Sequence, residues 1–326
     1  MRILPLIFSF ALSINFIFGQ TPLLVKDIHP GATSGYPDKN EYPVALGSIL
    51  YFAADDGIHG LELWRSDGTD VGTYMVKDIR PDTGSAPIRL TVLNNKIVFF
   101  ANDGVHGDEL WISDGTENGT KLVKDIYPGS GNVIRRNYIT QKRDWKVANG
   151  VFYFAADTDT SFSQLWRSDG TAQGTFFIAD VCPACQVTSS STGHFETMND
   201  TLYFVAELDL WRSDGTAAGT EIVMDNLDSN GPGSFRTLTA VNGLLYMSGG
   251  GFSNGPDLWV SDGTTSGTRL VKDFPVLYSD PRQFVGLGNQ VYFISGTKLW
   301  VTDDTEAGTV AASDLRLDNP VQKKNN

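Results

Sequence analysis

LWRSDGTDVGT (63–73) is followed along the chain by LWISDGTENGT (110–120), LWRSDGTAQGT (165–175), LWRSDGTAAGT (210–220), LWVSDGTTSGT (258–268) and LWVTDDTEAGT (299–309). The six tryptophans are 47, 55, 45, 48 and 41 residues apart. A period of that length marks a repeat array rather than two conventional domains. A motif present six times is a frame before it is a reaction centre.

One unit shows the grammar. In the second, LTVL (90–93) and KIVFFA (96–101) are short β-rich runs split by Asn94-Asn95, which reads as a tight hairpin. After NDGVHGD come ELWIS (109–113), the SDGTENGT turn and KLVKDI (121–126), making four strands, A to D. The other A–B links are Gly47-Ser48, Asn149-Gly150, Asn199-Asp200, Asn242-Gly243 and Gly288-Asn289. Strand C places Leu and Trp side by side, hence on opposite faces of its sheet. Sheets apolar on both faces must be covered on both. Four-stranded sheets stacked in a ring meet that demand, so the sequence predicts an all-β propeller, six four-stranded blades in one domain over 20–317.

The turn has its own chemistry. Asp67, Asp114, Asp169, Asp214, Asp262 and Asp303 are placed to accept N–H bonds inside the turn. The next residue needs a positive φ, supplied by Gly68, Gly115, Gly170, Gly215 and Gly263, and by Asp304 in the last copy. An extra D-type segment, LLVKDI (23–28), precedes the first full unit and is expected to pair with the last blade, closing the ring and removing a bare sheet edge. The weak final run TVAASDL (309–315) competes for that place.

Residues 1–19, with Arg2 ahead of an apolar run from Ile3 to Phe18, suit a secretory signal peptide cleaved after Gly19. No later segment is apolar enough to span a bilayer, so the mature chain is expected to lack a transmembrane segment and to be secreted or held at the cell surface. Residues 318–326 read as a polar disordered tail. A formal charge of −13 repels phosphate backbones and argues against nucleic acid as a partner.

The six motifs in register resemble the ELWxxDGT-repeat proteins, over residues 22–317. Those are exported bacterial proteins, often delivered by a type IX route and displayed at the cell surface. The resemblance implies a repeat fold and an extracellular location rather than an activity. Glu62 and Glu109 keep the leading glutamate of that motif, but Gln164, Asp209, Asp257 and Lys298 replace it, which argues against an indispensable ligand or catalyst. The motif is also similar to the Asp-box turn of sialidase propellers, which is structural there. Arg65, Arg167 and Arg212 repeat with the frame and do not form the arginine cluster a sialidase needs.

Function is therefore sought off the motif. The A–B and C–D turns are uniform and share one face of the ring, whereas the B–C and D–A connections vary and share the other. Variable loops on a rigid frame are where binding resides. The longest connection gathers Arg135, Arg136, Lys142, Arg143 and Lys146 around Tyr138 and Trp145. It reads either as a patch for an acidic glycan or protein, with Trp145 stacking on a ring, or as a solvated insertion balancing nearby acids. His59 and His106 hold equivalent places in DGxHG loops and read as metal-binding candidates or as plain loop residues. Calcium on Asp55, Asp56, Asp103, Asp157 and Asp159 is the alternative to an expectation of no cofactor. Cys182 and Cys185 are expected to form a disulfide after export.

No nucleophile–base pair, paired-acid motif or phosphate-cradling loop stands out. The reading is an exported, non-catalytic propeller for surface adhesion or for binding an extracellular glycan or protein ligand. The alternative is a glycan-binding or glycan-degrading propeller. Oligomeric state is left open.

Overall fold

The computed structural model describes residues 23–31, 43–134, 144–158, 164–181, 192–206, 209–225, 234–250, 256–274 and 280–312, and these contain strands and turns without a helix. Blade 1 comprises β1 (Val44–Leu46), β2 (Ile49–Asp55), β3 (Leu61–Ser66) and β4 (Tyr74–Lys77). Blade 2 follows with β5 (Ile88–Leu93), β6 (Lys96–Asn102), β7 (Asp108–Ser113) and β8 (Lys121–Lys124). Blade 3 holds β9 (Trp145–Ala148), β10 (Val151–Ala156), β11 (Gln164–Ser168) and β12 (Phe176–Ala179). In blade 4 are β13 (Gly193–Met198), β14 (Thr201–Ala206), β15 (Asp209–Ser213) and β16 (Glu221–Met224). Blade 5 has β17 (Ser234–Val241), β18 (Leu244–Gly250), β19 (Asp257–Ser261) and β20 (Arg269–Lys272). Blade 6 has β21 (Arg282–Leu287), β22 (Gln290–Ser295), β23 (Lys298–Thr302) and β24 (Val310–Ala311). Each set forms one four-stranded antiparallel sheet in chain order, the six-bladed propeller expected.

The alternation along each strand explains the stacking. Tyr51, Leu63 and Val76 on one face of blade 1 pack with Ile97, Phe99 and Trp111 of blade 2. On the opposite face of blade 2, Val98, Phe100 and Leu110 meet Phe152, Phe154 and Trp166 of blade 3. The same plan joins blades 3 and 4, 4 and 5, and 5 and 6. Trp111, Trp166, Trp211, Trp259 and Trp300 each sit in one of these seams, so they wedge the blades as their doubled Leu-Trp faces require.

The turns fold as their chemistry dictates. Asp67 Oδ1 accepts the Thr69 N–H at 2.9 Å and the Thr69 hydroxyl at 2.7 Å, while Thr69 Oγ1 accepts the Gly72 N–H at 2.9 Å. Asp114, Asp169, Asp214, Asp262 and Asp303 repeat the first two bonds. These bonds, the threonine hydroxyl's above all, hold the six carboxyls below the usual aspartate range. The following residue has φ of 87° at Gly68 and Gly115 and 70° at Asp304, the positive sign the turn demands.

Ring closure departs from the expectation. The fourth strand of blade 6 is β24, from the C-terminal side, and residues 23–31 form no strand. The short run 310–311 is contiguous with β23 through its own turn, so the local pairing forms without closing a loop across the chain.

Candidate functional site

The variable face is best defined in blades 1 and 2. In the loop after β2, Asp55 Oδ1 accepts the Gly57 N–H, and Asp56 Oδ1 accepts those of Ile58 and His59. Asp56 Oδ2 lies 2.7 Å from His59 Nδ1. The loop after β6 is a copy. Asn102 caps Gly104, Asp103 caps Val105 and His106, and Asp103 Oδ2 is 2.7 Å from His106 Nδ1. The bond to its aspartate holds each imidazole above the ordinary histidine range. Burial alone would raise the two aspartates, but the bonds from the histidines and from Ile58 or Val105 together keep them low. Each loop thus carries a fastened Asp–His pair beneath an aliphatic tip, Ile58 at 79% and Val105 at 67% exposure.

A buried carboxylate fastens each adjoining D–A connection. Glu62 Oε1 accepts the backbone N–H of Arg80 and of Ser85, each at 2.9 Å, and its Oε2 accepts the Ser85 hydroxyl at 2.5 Å. Glu109 accepts from Ile126 at 2.9 Å and Tyr127 at 2.8 Å. Asp257 does the same for Phe274 in blade 5. Burial drives the carboxyls of Glu62 and Asp257 upward and pushes that of Glu109 up to about 8, against the N–H bonds. The leading acid of the motif is therefore an anchor for the connection beyond strand D. The motif's variability hid this role, because Glu and Asp reach the same N–H groups and the signal was the pairing with Asp-Ile or Asp-Phe some 17 residues on.

The connections also tie to the neighbouring blade. Asn102 N donates to Ser85 O, Val133 N to Asp108 O and Asp157 N to Val133 O. The Arg80 guanidinium lies over Gly104 and donates to Asn102 Oδ1 at 3.3 Å. The outcome is a stiff ledge spanning two blades.

Trp145 is placed differently from the sequence expectation. It opens β9, pairs with Phe154 in register and packs half-buried against the blade 2–3 core. The Arg89 guanidinium sits 5.1 Å from its ring centroid, and Arg89 also bonds Asp144 Oδ2 at 2.7 Å. One face of the ring is taken by a cation from the neighbouring blade. Lys146, another member of the basic cluster, pairs with Glu196 on β13. Arg135, Arg136, Tyr138, Lys142, Arg143, Asp159, Cys182 and Cys185 lie outside the described residues.

Among the described residues, no three His, Cys, Asp or Glu side chains gather as a metal site. Asp55, Asp56 and Asp103 are already turn acceptors. His59 and His106 are bound to their own loops rather than to each other's.

No protein-family model matches the chain, and no curated protein matches it. Solved structures do. A puromycin hydrolase aligns over 85% of this chain and 45% of its own, at 15% identity and a TM-score of 0.45. A puromycin-hydrolyzing peptidase of Mycobacterium tuberculosis aligns over 83% and 43%, at 12% identity and 0.48. A prolyl endopeptidase aligns over 80% and 40%, at 7% identity and 0.47. The chain spans less than half the length of these proteins, and the likeness is one of strand layout.

Proposed function

We propose that this is an exported ELWxxDGT-type propeller that binds an extracellular glycan or protein ligand on its variable face and performs no catalysis. The observation that carries the reading is the two-blade ledge. It presents two equivalent aliphatic tips, Ile58 and Val105, each beside an imidazole held by its own aspartate. Pre-fastened loops lose little freedom on binding, and that favours affinity. Glu62 and Glu109, the acids at the root of the ledge, are fully buried and hold backbone, which keeps them out of a ligand's reach.

The test is a glycan and protein array probed with the intact protein and with an Ile58→Asp, Val105→Asp double variant. Saturable binding lost in the variant, at an unchanged melting temperature, supports the ledge. Binding that persists in the double variant but disappears with Arg135→Ala plus Arg136→Ala moves the site to the basic connection. Release of products from any polysaccharide would overturn the non-catalytic reading.

A further inference from the structure

Strand D ends on an aspartate in every unit: Asp78, Asp125, Asp180, Asp225, Asp273 and Asp314. Each stands 16 residues after the leading residue of strand C, which is Glu62, Glu109, Gln164, Asp209, Asp257 and Lys298 in turn. The fold brings the two positions together. In blades 1, 2 and 5 the N–H directly after the aspartate, that of Ile79, Ile126 or Phe274, donates to the leading acid.

An ionised carboxylate only accepts hydrogen bonds, so two of them side by side need a donor. Blade 1 adds the Ser85 hydroxyl to the three N–H groups on Glu62, and blade 3 has Gln164, a standing amide donor, at the leading place. Among the described residues blades 2 and 5 show neither device. Glu109 is fully buried and meets two N–H groups. Beside it, Asp125 has a buried Oδ1 that meets no donor among the described residues. In blade 5 the equivalent carboxyls touch. Asp257 and Asp273 are hydrogen-bonded to each other, which requires a hydrogen on one of them.

The other ionisable groups around Glu109 and Asp125 do not supply that donor. His106 faces Glu109 but is bonded to Asp103, and the Lys124 ammonium turns away to Thr175 O at 2.7 Å. Asp108, adjacent on β7, points to the opposite face of the strand. Tyr127 gives Glu109 its backbone N–H. Burial above all, with Asp125 adding to it, pushes Glu109 up to about 8.

We propose that Glu109 with Asp125, and Asp257 with Asp273, each hold one shared proton, and that its release to water in mildly alkaline solution leaves two facing carboxylates that repel and free the D–A connection. Ile126 and Tyr127 begin the connection in which Val133 bonds Asp108 O and accepts from Asp157 N, so the latch controls the tie between blades 2 and 3. As regulation of the variable face this rests on the binding role proposed above. Its test reads the proton and the backbone without a ligand, so either can fail alone.

The test follows carboxyl carbon-13 shifts and amide hydrogen exchange in the intact protein from about pH 6 to about pH 9. The Glu109 and Asp125 carboxyl carbons are expected to move together in one step. Across it, protection of the Ile126 and Tyr127 amides, corrected for intrinsic exchange, should fall about tenfold or more. Glu109→Gln supplies a standing donor and is expected to remove the step and keep both amides protected. Asp125→Asn supplies one from the other side and should bring the Glu109 step down by about a unit or more. The inference is overturned if Asp125 stays still while Glu109 titrates, if Asp125→Asn leaves the step in place, or if protection does not change across it. The parent titration decides the matter even where a variant fails to fold.

Discussion

Exchanging Glu109 for Gln isolates the cost of a buried charge at the root of the ledge. The carboxylate is fully buried and accepts one backbone N–H on each oxygen. Burial, helped by the nearby charge of Asp125, raises its folded value from 4.5 to about 8. Between those values the folded protein keeps a proton that the unfolded chain has released. Unfolding therefore gives up a proton, and stability falls as pH rises through that window, levelling off above it. Each unit is worth ~1.4 kcal/mol, so from pH 5 to pH 8 this group alone removes ~4 kcal/mol. Glu109→Gln keeps the shape and abolishes the titration, and Gln164 stands at the same place in blade 3. Urea denaturation of both proteins at each pH, with a common m-value, gives a difference in which titrating groups remote from residue 109 cancel, while His106, which the Glu109 charge helps to raise, adds a smaller change of its own. The variant should gain on the parent by ~4 kcal/mol between pH 5 and 8, then hold level. A difference that does not change with pH would mean that the two N–H bonds keep the carboxylate ionised throughout, and the burial argument would be wrong.

Trp111→Ala empties the blade 1–2 seam and should lower stability by about 3–5 kcal/mol, read as a lower midpoint in thermal or urea unfolding. Trp145→Ala, which removes the partner of Arg89 and part of the blade 2–3 packing, should cost about 2 kcal/mol; an unchanged melt would return Trp145 to the list of free surface aromatics. Gly115→Ala combines a φ of 87° with a methyl directed at the Tyr51 hydroxyl and should destabilise by more than about 1 kcal/mol. Melting curves in calcium and in chelator should coincide, since Asp55, Asp56 and Asp103 are engaged by loop N–H groups; a rise in midpoint with calcium would reopen a metal on the variable face.

The blade pattern was legible because it is local. Two-residue Asn/Gly links force tight hairpins, adjacent Leu and Trp force two covered faces, and Asp followed by Gly forces the turn, down to the positive φ of Asp304. The ledge was legible only as loops. That His59 and His106 belong to their own Asp56 and Asp103 is a three-residue contact and could have been read. That Glu62 holds Ser85 spans 23 residues and depends on where the D–A connection lands, which no periodicity encodes.

By itself, then, the sequence determined the repeat, its strands and turns, and the sorting of the ring into a uniform and a variable face, because each follows from contacts within one unit. The tertiary structure alone decided which charges are spent on the fold, what covers Trp145, and which strand completes blade 6. Those outcomes depend on neighbours brought together by stacking. At the blade 6 edge the fourth place goes to β24, the strand in direct succession to β23.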